Sequence, residues 1–496
     1  MTAAMRQHRV LITISVMVAS IMQALDVTIA NVALPRIQGS LSSTQDQINW
    51  VLTSYIIATA IMMPLSGWLA GQFGRKRVFL VSIGVFTLAS VLCGLAQTLP
   101  EMVVFRALQG LGGAALVPMS QAVLLDINPP EHHGRAMSVW GMGVVLGPIV
   151  GPALGGWLTD DYDWRWVFYI NVPFGIISFL GVLAFLAESA RKRSRFDFFG
   201  FLTLSFALGA LQMMLDRGPL KDWFGATEIW IEATIAALGF YLFAVHTATA
   251  RAHPFISPSL FRDRNFLTGN VFVFVVGVVL FATLALLPPL LQAHMGYPVL
   301  LTGIVTAPRG VGTLLSMLIV GRLIGRIATR YLILFGLVAT AFSLWQMTEF
   351  SLLMDSGPII WSGFIQGVGT GFVYIPLAAV AFTTLNIDLR NEATALFNLM
   401  RNIGSSIGIS VVAAFLARNT QVMHSALAAH LTRYGAQAGP VGGNLALLNR
   451  QVTEQAAMIA YNDDFKLMLI VTICVIPFVF LLRDVHRQKH VALGVE

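Results

Sequence analysis

Fourteen apolar runs, each long enough to cross a lipid bilayer, divide this sequence of 496 residues. A transmembrane helix needs about 20 apolar residues, and a helix satisfies its own backbone polar groups inside lipid. The sequence therefore predicts an all-α multi-pass membrane protein whose helices we number 1 to 14. The runs lie at approximately 10–34, 48–70, 78–97, 102–125, 136–158, 166–187, 198–215, 229–250, 267–291, 300–321, 331–349, 357–384, 394–416 and 465–482.

The amino-acid composition excludes several other classes of protein. Hydrophobic residues make up 56% of the chain and charged residues 11%, whereas a soluble protein carries about 25% charged residues. The 33 Phe and 10 Trp exclude a disordered chain, because disordered chains are poor in aromatic residues. Cys93 and Cys474 lie in apolar runs with no second cysteine or histidine at metal-binding spacing. We therefore predict neither a disulfide framework nor a metal site.

Lysine and arginine are distributed unevenly between two sets of loops. The two termini and the loops after even-numbered helices hold 20 of the 31 basic residues, and the remaining loops hold eight. Cytoplasmic loops carry the basic excess in membrane proteins, so we predict an inner (plasma) membrane protein with both termini in the cytoplasm and no nucleic-acid partner. The other three, Arg106, Arg309 and Arg401, lie inside spans, where charge is costly. We expect them to act as cavity residues or charge partners.

Pairs of short, similar segments indicate an internal repeat. Residues 67–71 after helix 2 resemble residues 321–325 after helix 10, at an offset of 254, and residues 109–112 in helix 4 resemble residues 366–369 in helix 12, at an offset of 257. Six helices, two inserted helices and six more is the simplest division, with substrate bound between the two halves. The predicted units are a first bundle at 1–190, inserted helices at 191–250 and a second bundle at 251–496.

Three segments carry motifs with a mechanical interpretation. The turn at residues 67–77 combines glycines with three consecutive cations, and it is either a plain cytoplasmic loop or a conformational element. In helix 4, Gln109 lies one turn from Arg106. Helix 5 has glycine at every fourth position, which lets another helix approach closely, together with two prolines that favour a bend at a moving interface over a plain packing seam. The candidate conformational residues are Gly67, Gly74, Arg75, Gly143, Gly147, Pro148, Gly151, Pro152 and Gly155.

These three segments, in this order, resemble the signature motifs of the major facilitator superfamily. Residues 25–35 are similar to the helix 1 motif of its fourteen-helix drug:proton antiporters, and residues 164–173 and 215–224 resemble EmrB-type multidrug exporters. The resemblance covers nearly the whole chain and implies two six-helix bundles, proton-coupled export of drugs, and a periplasmic adaptor with an outer-membrane channel as partners. The family turn usually carries Asp where Gly71 stands, so a gating salt bridge from that position is in doubt.

Motifs for ATP binding or hydrolysis, such as a Walker loop, GxSxG or HExxH, do not occur in the sequence, which argues against ATP-driven transport and catalysis. We therefore predict a secondary transporter, not an enzyme, with no cofactor beyond the coupling proton and with hydrophobic or amphipathic drugs as substrates. One alternative is an exporter of an endogenous metabolite or lipid. A channel or sensor is a second alternative, although a channel is expected to carry rings of similar charge.

Asp26, inside helix 1, is the main candidate for proton coupling. Coupling requires a carboxyl that is neutral when water is excluded and ionised when the cavity opens, and movement relative to Arg106, which we expect to face the cavity, could switch it. The alternative is a pairing residue of constant charge. Asp216, beside Arg217 at the outer end of helix 7, is a second candidate in a place that we expect to be hydrated.

One long hydrophilic stretch, residues 418–464, interrupts the second bundle. It contains Leu427 and Leu431 at helical spacing, and glycines from 435 to 443 that would break a helix. A solvated linker is one interpretation. The resemblance to EmrB-type exporters offers another, in which this loop forms part of a docking surface for the periplasmic adaptor.

Overall fold

The structure, a computed structural model, describes residues 3–129, 132–189, 191, 195–249, 254–430 and 445–482. Within these ranges 14 helices are long and apolar enough to cross a membrane, so the predicted number of spans and the all-helical fold class are confirmed. The glycine break at 435–443 and the C-terminal tail lie outside the described residues. Helices 1 to 14 are His8–Ser40, Trp50–Phe73, Arg75–Leu95, Leu99–Ile127, His133–Asp161, Trp166–Phe185, Phe198–Leu220, Thr227–Thr249, Arg264–His294, Leu301–Leu323, Thr329–Met347, Gly357–Thr383, Arg390–Ala429 and Ala446–Leu481.

Local sequence explains where several helices begin and how they are interrupted. Helix 4 starts with a capping box, in which the Thr98 side chain accepts from the backbone of Glu101 and the Glu101 side chain accepts in return. It consists of two α-helical pieces, Leu99–Gly113 and Leu116–Ile127. Helix 5, by contrast, is assigned as one continuous helix with both prolines inside it. A tolerated proline removes one backbone donor without ending the helix.

The packing of the helices repeats with a shift of eight helices. In the first bundle helix 1 packs on helix 5, helix 2 on helix 4 and helix 3 on helix 4. In the second bundle helix 9 packs on helix 13, helix 10 on helix 12 and helix 11 on helix 12. Helices 7 and 8 pack on each other, and helix 7 also contacts helices 2 and 13. The inserted pair therefore touches both bundles along one side.

The two bundles meet mainly through helices 5 and 10 and through helices 2 and 13. We call the end with the loops after even-numbered helices the basic side. Towards this side, a Cβ added at Gly67 would lie 2.9 Å from the Cα of Glu392, and one at Gly321 would lie 2.8 Å from the Ser138 hydroxyl. Gly310, near the middle of helix 10, faces Ile149 of helix 5. These contacts run from the basic side to mid-membrane, so the bundles are closed against each other at the basic side.

Helices 13 and 14 extend well beyond the length that a bilayer requires. Helix 13 runs for 40 residues to Ala429, and the α-helix of helix 14 begins at Leu445. The side chains of His424 and Asn449 form a hydrogen bond of 3.0 Å between the two extensions. The described parts of 418–464 therefore continue helices 13 and 14, and many of their side chains are exposed, as the interpretation of a solvated stretch predicts. Polar helix surface gives no hydropathy signal, which is why the apolar runs end early.

Candidate functional site

Asp26 lies at the centre of a buried hydrogen-bond network inside the first bundle. Its Oδ2 atom accepts from Arg106 Nη1 at 2.8 Å, and its Oδ1 atom accepts from Gln109 Nε2 at 2.7 Å and from Asn171 Nδ2 at 2.9 Å. The side chains of Asp26 and Arg106 are each 1% exposed. Buried charges are tolerated when they are paired and hydrogen-bonded, and both oxygens of this carboxylate meet that condition.

The guanidinium of Arg106 is held on its edges and on one face. Its Nη1 atom also donates to Gln109 Oε1 at 2.7 Å, and its Nε atom donates to the carbonyl oxygen of Val51 at 3.1 Å. The ring of Tyr55 lies 4.4 Å from the Arg106 Cζ atom. The planar guanidinium suits this arrangement of several acceptors and one aromatic face better than an ammonium would.

The network continues from Asp26 to helices 3 and 6. The Asn171 amide also donates to the Ser90 hydroxyl at 2.9 Å, and Ser90 donates to the carbonyl oxygen of Phe168 at 2.8 Å. Helices 1, 3, 4 and 6 are thereby joined through one carboxylate. Sequence reasoning used Asn171 only for the family resemblance and missed Ser90, although a polar residue inside an apolar run is itself a signal of an internal contact.

Arg106 and Gln109, expected as cavity residues or charge partners, are both partners of the Asp26 carboxylate, and they lie inside the first bundle rather than at the contact between the bundles. Gln109 is fully buried and Arg106 is 1% exposed, and both point into the first bundle. The physical reason is the number of acceptors available there, because Asp26 and Gln109 both accept from the Nη1 atom of Arg106 and Val51 accepts from its Nε atom.

Arg309 and Arg401, the two arginines inside spans of the second bundle, have fewer hydrogen-bond partners than Arg106. Arg309 of helix 10 is 7% exposed, and its Nε and Nη2 atoms have no hydrogen-bond partner among the described residues. Arg401 of helix 13 is half-buried, and its Nη1 atom donates to the Tyr374 hydroxyl at 3.1 Å. Tyr374 in turn stacks on Trp140 of helix 5, with ring centroids 6.4 Å apart. Arg401 therefore lies next to an aromatic contact between the two bundles.

An ion-pair cluster joins the bundles at the basic side. Asp126, at the end of helix 4, accepts from Arg75 Nη1 at 2.5 Å and from Arg390 Nη1 at 2.7 Å. Arg75 belongs to the turn after helix 2, and Arg390 begins helix 13 of the second bundle. An ion pair therefore joins the two bundles at this side although Gly71 is not an acid. Asp126 and Arg390 were missed because both lie at helix ends, where charge is unremarkable in a sequence.

The glycines of the turn and of helix 5 allow close approaches between helices. Gly74 has a φ of 94°, a backbone conformation that residues with a Cβ rarely adopt. The helix 5 stripe faces helix 1: a Cβ at Gly147 would lie 2.6 Å from the Ala24 Cβ, and one at Gly155 would lie 3.3 Å from Ile29. Gly143 faces helix 1 as well. The predicted close approach is thus present, and it lies within the first bundle.

Asp216 lies against helix 2 and is half-buried. The Thr53 hydroxyl donates to its carboxylate. The neighbouring Arg217 pairs with Glu228 at 2.7 Å and with Glu232 at 3.2 Å, both in helix 8. Asp216 and Asp26 are therefore held by different helices and are not part of one network.

Comparison with known families and proteins gives a consistent result. The sequence profile of the Major Facilitator Superfamily matches residues 16–409. The fatty acid resistance protein FarB of Neisseria gonorrhoeae is 36% identical over 485 residues, covering 95% of this chain and 96% of that protein. The multidrug export protein EmrB of Escherichia coli K12 is 34% identical over 470 residues, covering 92% of each chain.

Solved structures resemble the fold at lower sequence identity. The human organic anion transporter MFSD10 aligns with a TM-score of 0.63 at 14% identity, covering 94% of this chain and 99% of that chain. The proton:xylose symporter XylE aligns with a TM-score of 0.60 at 12% identity, covering 94% and 95%. At these identities the likeness establishes the shared fold.

Proposed function

This chain belongs to the major facilitator superfamily, and we propose that it exports hydrophobic or amphipathic toxic compounds in exchange for protons. It is a transporter and not an enzyme. The names of its relatives, multidrug export and fatty acid resistance, support this substrate class. The single observation that carries proton coupling is the Asp26 carboxylate, buried and bound by three donors.

A proton on Asp26 would change every bond that the carboxylate makes. An ionised carboxylate only accepts hydrogen bonds, whereas a protonated one donates through one oxygen and loses its charge. Arg106 would then remain as a buried cation without its counter-ion, and removing one partner of a buried pair is strongly destabilising. Protonation of Asp26 therefore favours a rearrangement of helices 1, 4 and 6, in which Arg106 finds other acceptors or water.

The rearrangement has a direct route to the contact between the bundles. Helix 1, which carries Asp26, packs against the glycine stripe of helix 5. Another face of helix 5 contacts helix 10 of the second bundle, at Ser138 against Gly321 and at Ile149 against Gly310. Movement of helix 1 along the stripe would shift helix 5 and loosen the closed basic side. Alternation between two such packed states is a known way in which transporters move a fixed site between two openings.

The energy of one proton is sufficient for useful export. A charge that moves through about 100 mV releases roughly 2.3 kcal/mol, and a gradient of one pH unit adds about 1.4 kcal/mol. Together they could sustain a concentration ratio of several hundred for a neutral compound. This is why the lack of a Walker loop in the sequence is compatible with uphill transport.

We place the protein in the inner membrane, with both termini and the basic side in the cytoplasm. The extensions of helices 13 and 14 would then project outside the cell membrane. A hydrogen bond between His424 and Asn449 joins the two extensions. We propose these two extensions as the docking surface for a periplasmic adaptor protein, which would link the transporter to an outer-membrane channel.

Purified protein in liposomes tests the proposed function. With a dye as substrate, an imposed pH gradient should drive accumulation against the concentration gradient, and dissipating the pH gradient with an uncoupler should stop it. A channel would only equilibrate the compound, and a sensor would not move it. Uphill transport of an endogenous metabolite or lipid, without transport of any drug in the panel, would replace drug export by the alternative substrate class.

A further inference from the structure

Contacts of two equivalent glycines show which residues occupy matching places in the two bundles. A Cβ added at Gly110 would lie 2.5 Å from the carbonyl oxygen of Tyr55, and one added at Gly367 would collide with the carbonyl oxygen of Arg309. Gly110 and Gly367 are 257 residues apart, and Tyr55 and Arg309 are 254 residues apart, which are the two offsets of the sequence repeat. Tyr55 of helix 2 and Arg309 of helix 10 are therefore structural equivalents.

The buried arginine comes from non-equivalent helices in the two bundles. In the first bundle Arg106 comes from helix 4 and lies over Tyr55 of helix 2. In the second bundle the position that matches Arg106 is Gly363, and a Cβ added there would lie 3.8 Å from the Cβ of Arg309. Arg309 thus projects from the helix 10 position towards the place that the glycine leaves open. Both bundles contain a buried cation between the same pair of helices.

Arg309 differs from Arg106 because the second bundle has no carboxylate at the position that matches Asp26. The position that matches Asp26 is Leu280, and the position that matches Gln109 is Gln366. Gln366 donates to Thr283 Oγ1 at 3.2 Å, while its Oε1 atom has no partner among the described residues. Leu280 and Gln366 line a cavity between helices 9, 11, 12 and 14. An apolar side chain, Leu280, therefore stands where the first bundle has its carboxylate.

A buried cation without an acceptor is costly, because it loses its hydration and gains no replacement. Arg309 is 7% exposed, its Nε and Nη2 atoms are unpartnered, and no ion pair of its side chain occurs in the described part of the chain. Such a group is explained most simply when an anion from outside the chain joins it during function. The planar guanidinium, with two free donors, suits the two oxygens of a carboxylate.

We infer that Arg309 is an anion-binding subsite, which takes the carboxylate head group of an amphipathic substrate while the apolar part lies between the bundles. The inference rests on the proposed export function. Gly310, the residue after Arg309, packs against Ile149 of helix 5. Arg309 is therefore adjacent in sequence to a residue at the contact between the bundles.

Equilibrium binding to the full-length protein tests this inference without any proton gradient. We would measure the binding of radiolabelled octanoate and of octyltrimethylammonium, which carry apolar chains of nearly equal length and opposite charges, in phosphatidylcholine nanodiscs at pH 8. The variants are Arg309→Gln and Arg309→Lys. The matched control is Arg322→Gln, because Arg322 lies on the same helix and is exposed. We expect Arg309→Gln to weaken octanoate binding at least ten-fold, Arg309→Lys to weaken it less, and every variant to bind octyltrimethylammonium within two-fold of the original.

Each other outcome would overturn the inference in a distinct way. Unchanged octanoate binding in Arg309→Gln would remove the subsite, and equal loss of both compounds would reduce Arg309 to a residue that only shapes the bundle. Native mass spectrometry with phosphatidylglycerol separates a second source of the anion. Loss of bound phosphatidylglycerol in Arg309→Gln, with octanoate binding intact, would assign the site to a lipid head group. Because binding is measured without a gradient, failure of proton coupling would leave this result unaffected.

Discussion

The guanidinium of Arg106 lies 2.8 Å from the carboxylate of Asp26, between residues 80 positions apart in the sequence. Both side chains are almost completely buried in the first bundle. A pair of this kind contributes little net stability while it is intact, yet breaking it leaves one buried charge alone. The pair is thus suited to hold one conformation until a proton arrives.

Removal of the guanidinium should therefore be costly. We expect Arg106→Ala to insert into the membrane but to lose about 3–5 kcal/mol of stability and all transport. Arg106→Lys should recover part of both, because an ammonium cannot reproduce the contacts with Val51 and Tyr55. Thermal unfolding in detergent and efflux by the same preparations measure the two effects. Arg165→Ala is the control, since its pair with Asp163 is exposed. Normal unfolding and full transport by Arg106→Ala would make the pair an ordinary helix contact.

The ion pair at the basic side predicts a gate that can be loosened. In Arg390→Gln, a cysteine that replaces Ser138 beneath the gate should react about five-fold faster with a maleimide added from the basic side. The expected five-fold increase in reaction rate corresponds to about 1 kcal/mol, which is the contribution of a partly exposed ion pair such as that of Asp126. The experiment uses a chain without its own two cysteines, and Arg326→Gln, an exposed residue on the same side, serves as the control. Equal reaction rates in both variants would show that the pair does not hold the gate.

The glycine stripe of helix 5 predicts a position-dependent effect of added bulk. Gly147→Val should insert normally and lose at least nine-tenths of efflux, because its Cβ would lie 2.6 Å from Ala24 of helix 1 and overpacking of this kind costs about 1–3 kcal/mol. Gly156→Val on the same helix should transport normally, since nothing lies within 4 Å of a Cβ at that position. Transport assays in vesicles with matched protein levels compare the two. Unchanged efflux in Gly147→Val would leave the stripe without a role in movement.

The assignment of sides predicts the behaviour of reporter fusions. Alkaline phosphatase is active only outside the cytoplasm, so a fusion after Leu353, a 96% exposed residue between helices 11 and 12, should be active. A fusion after Glu496 should be inactive. Green fluorescent protein at the same two positions should give the reverse pattern. Phosphatase activity at both positions would contradict either the number of spans or the orientation.

Much of the fold could be predicted from the sequence because lipid imposes one dominant rule. Each span had to be apolar for about 20 residues, so counting runs gave the number of helices. The same rule drew attention to Asp26 and Arg106 as charges inside spans. It gave no information on the outer parts of helices 13 and 14, since helix outside the bilayer need not be apolar. The length of helix 13, 40 residues, is therefore a structural result.

The partners of the site could be predicted only in part, since sequence spacing does not show which faces of distant helices meet. Ser90 and Asn171 join the Asp26 network because helices 3 and 6 turn these polar atoms inwards. Arg309 illustrates the opposite case. The sequence showed an isolated charge in helix 10, and only the contacts of Gly110 and Gly367 showed that this charge occupies the place of Tyr55.

Proton coupling through Asp26 is the central claim, and one transport measurement tests it most directly. Liposomes with Asp26→Asn should exchange labelled for unlabelled substrate, because the bundles still alternate, but should not accumulate it when a pH gradient is imposed. Asp26→Glu should retain part of the driven transport. Asp163→Asn, which alters an exposed carboxylate outside the network, should behave like the original protein. Gradient-driven accumulation by Asp26→Asn at the original rate would contradict the account and direct the search for the coupling carboxyl to Asp216.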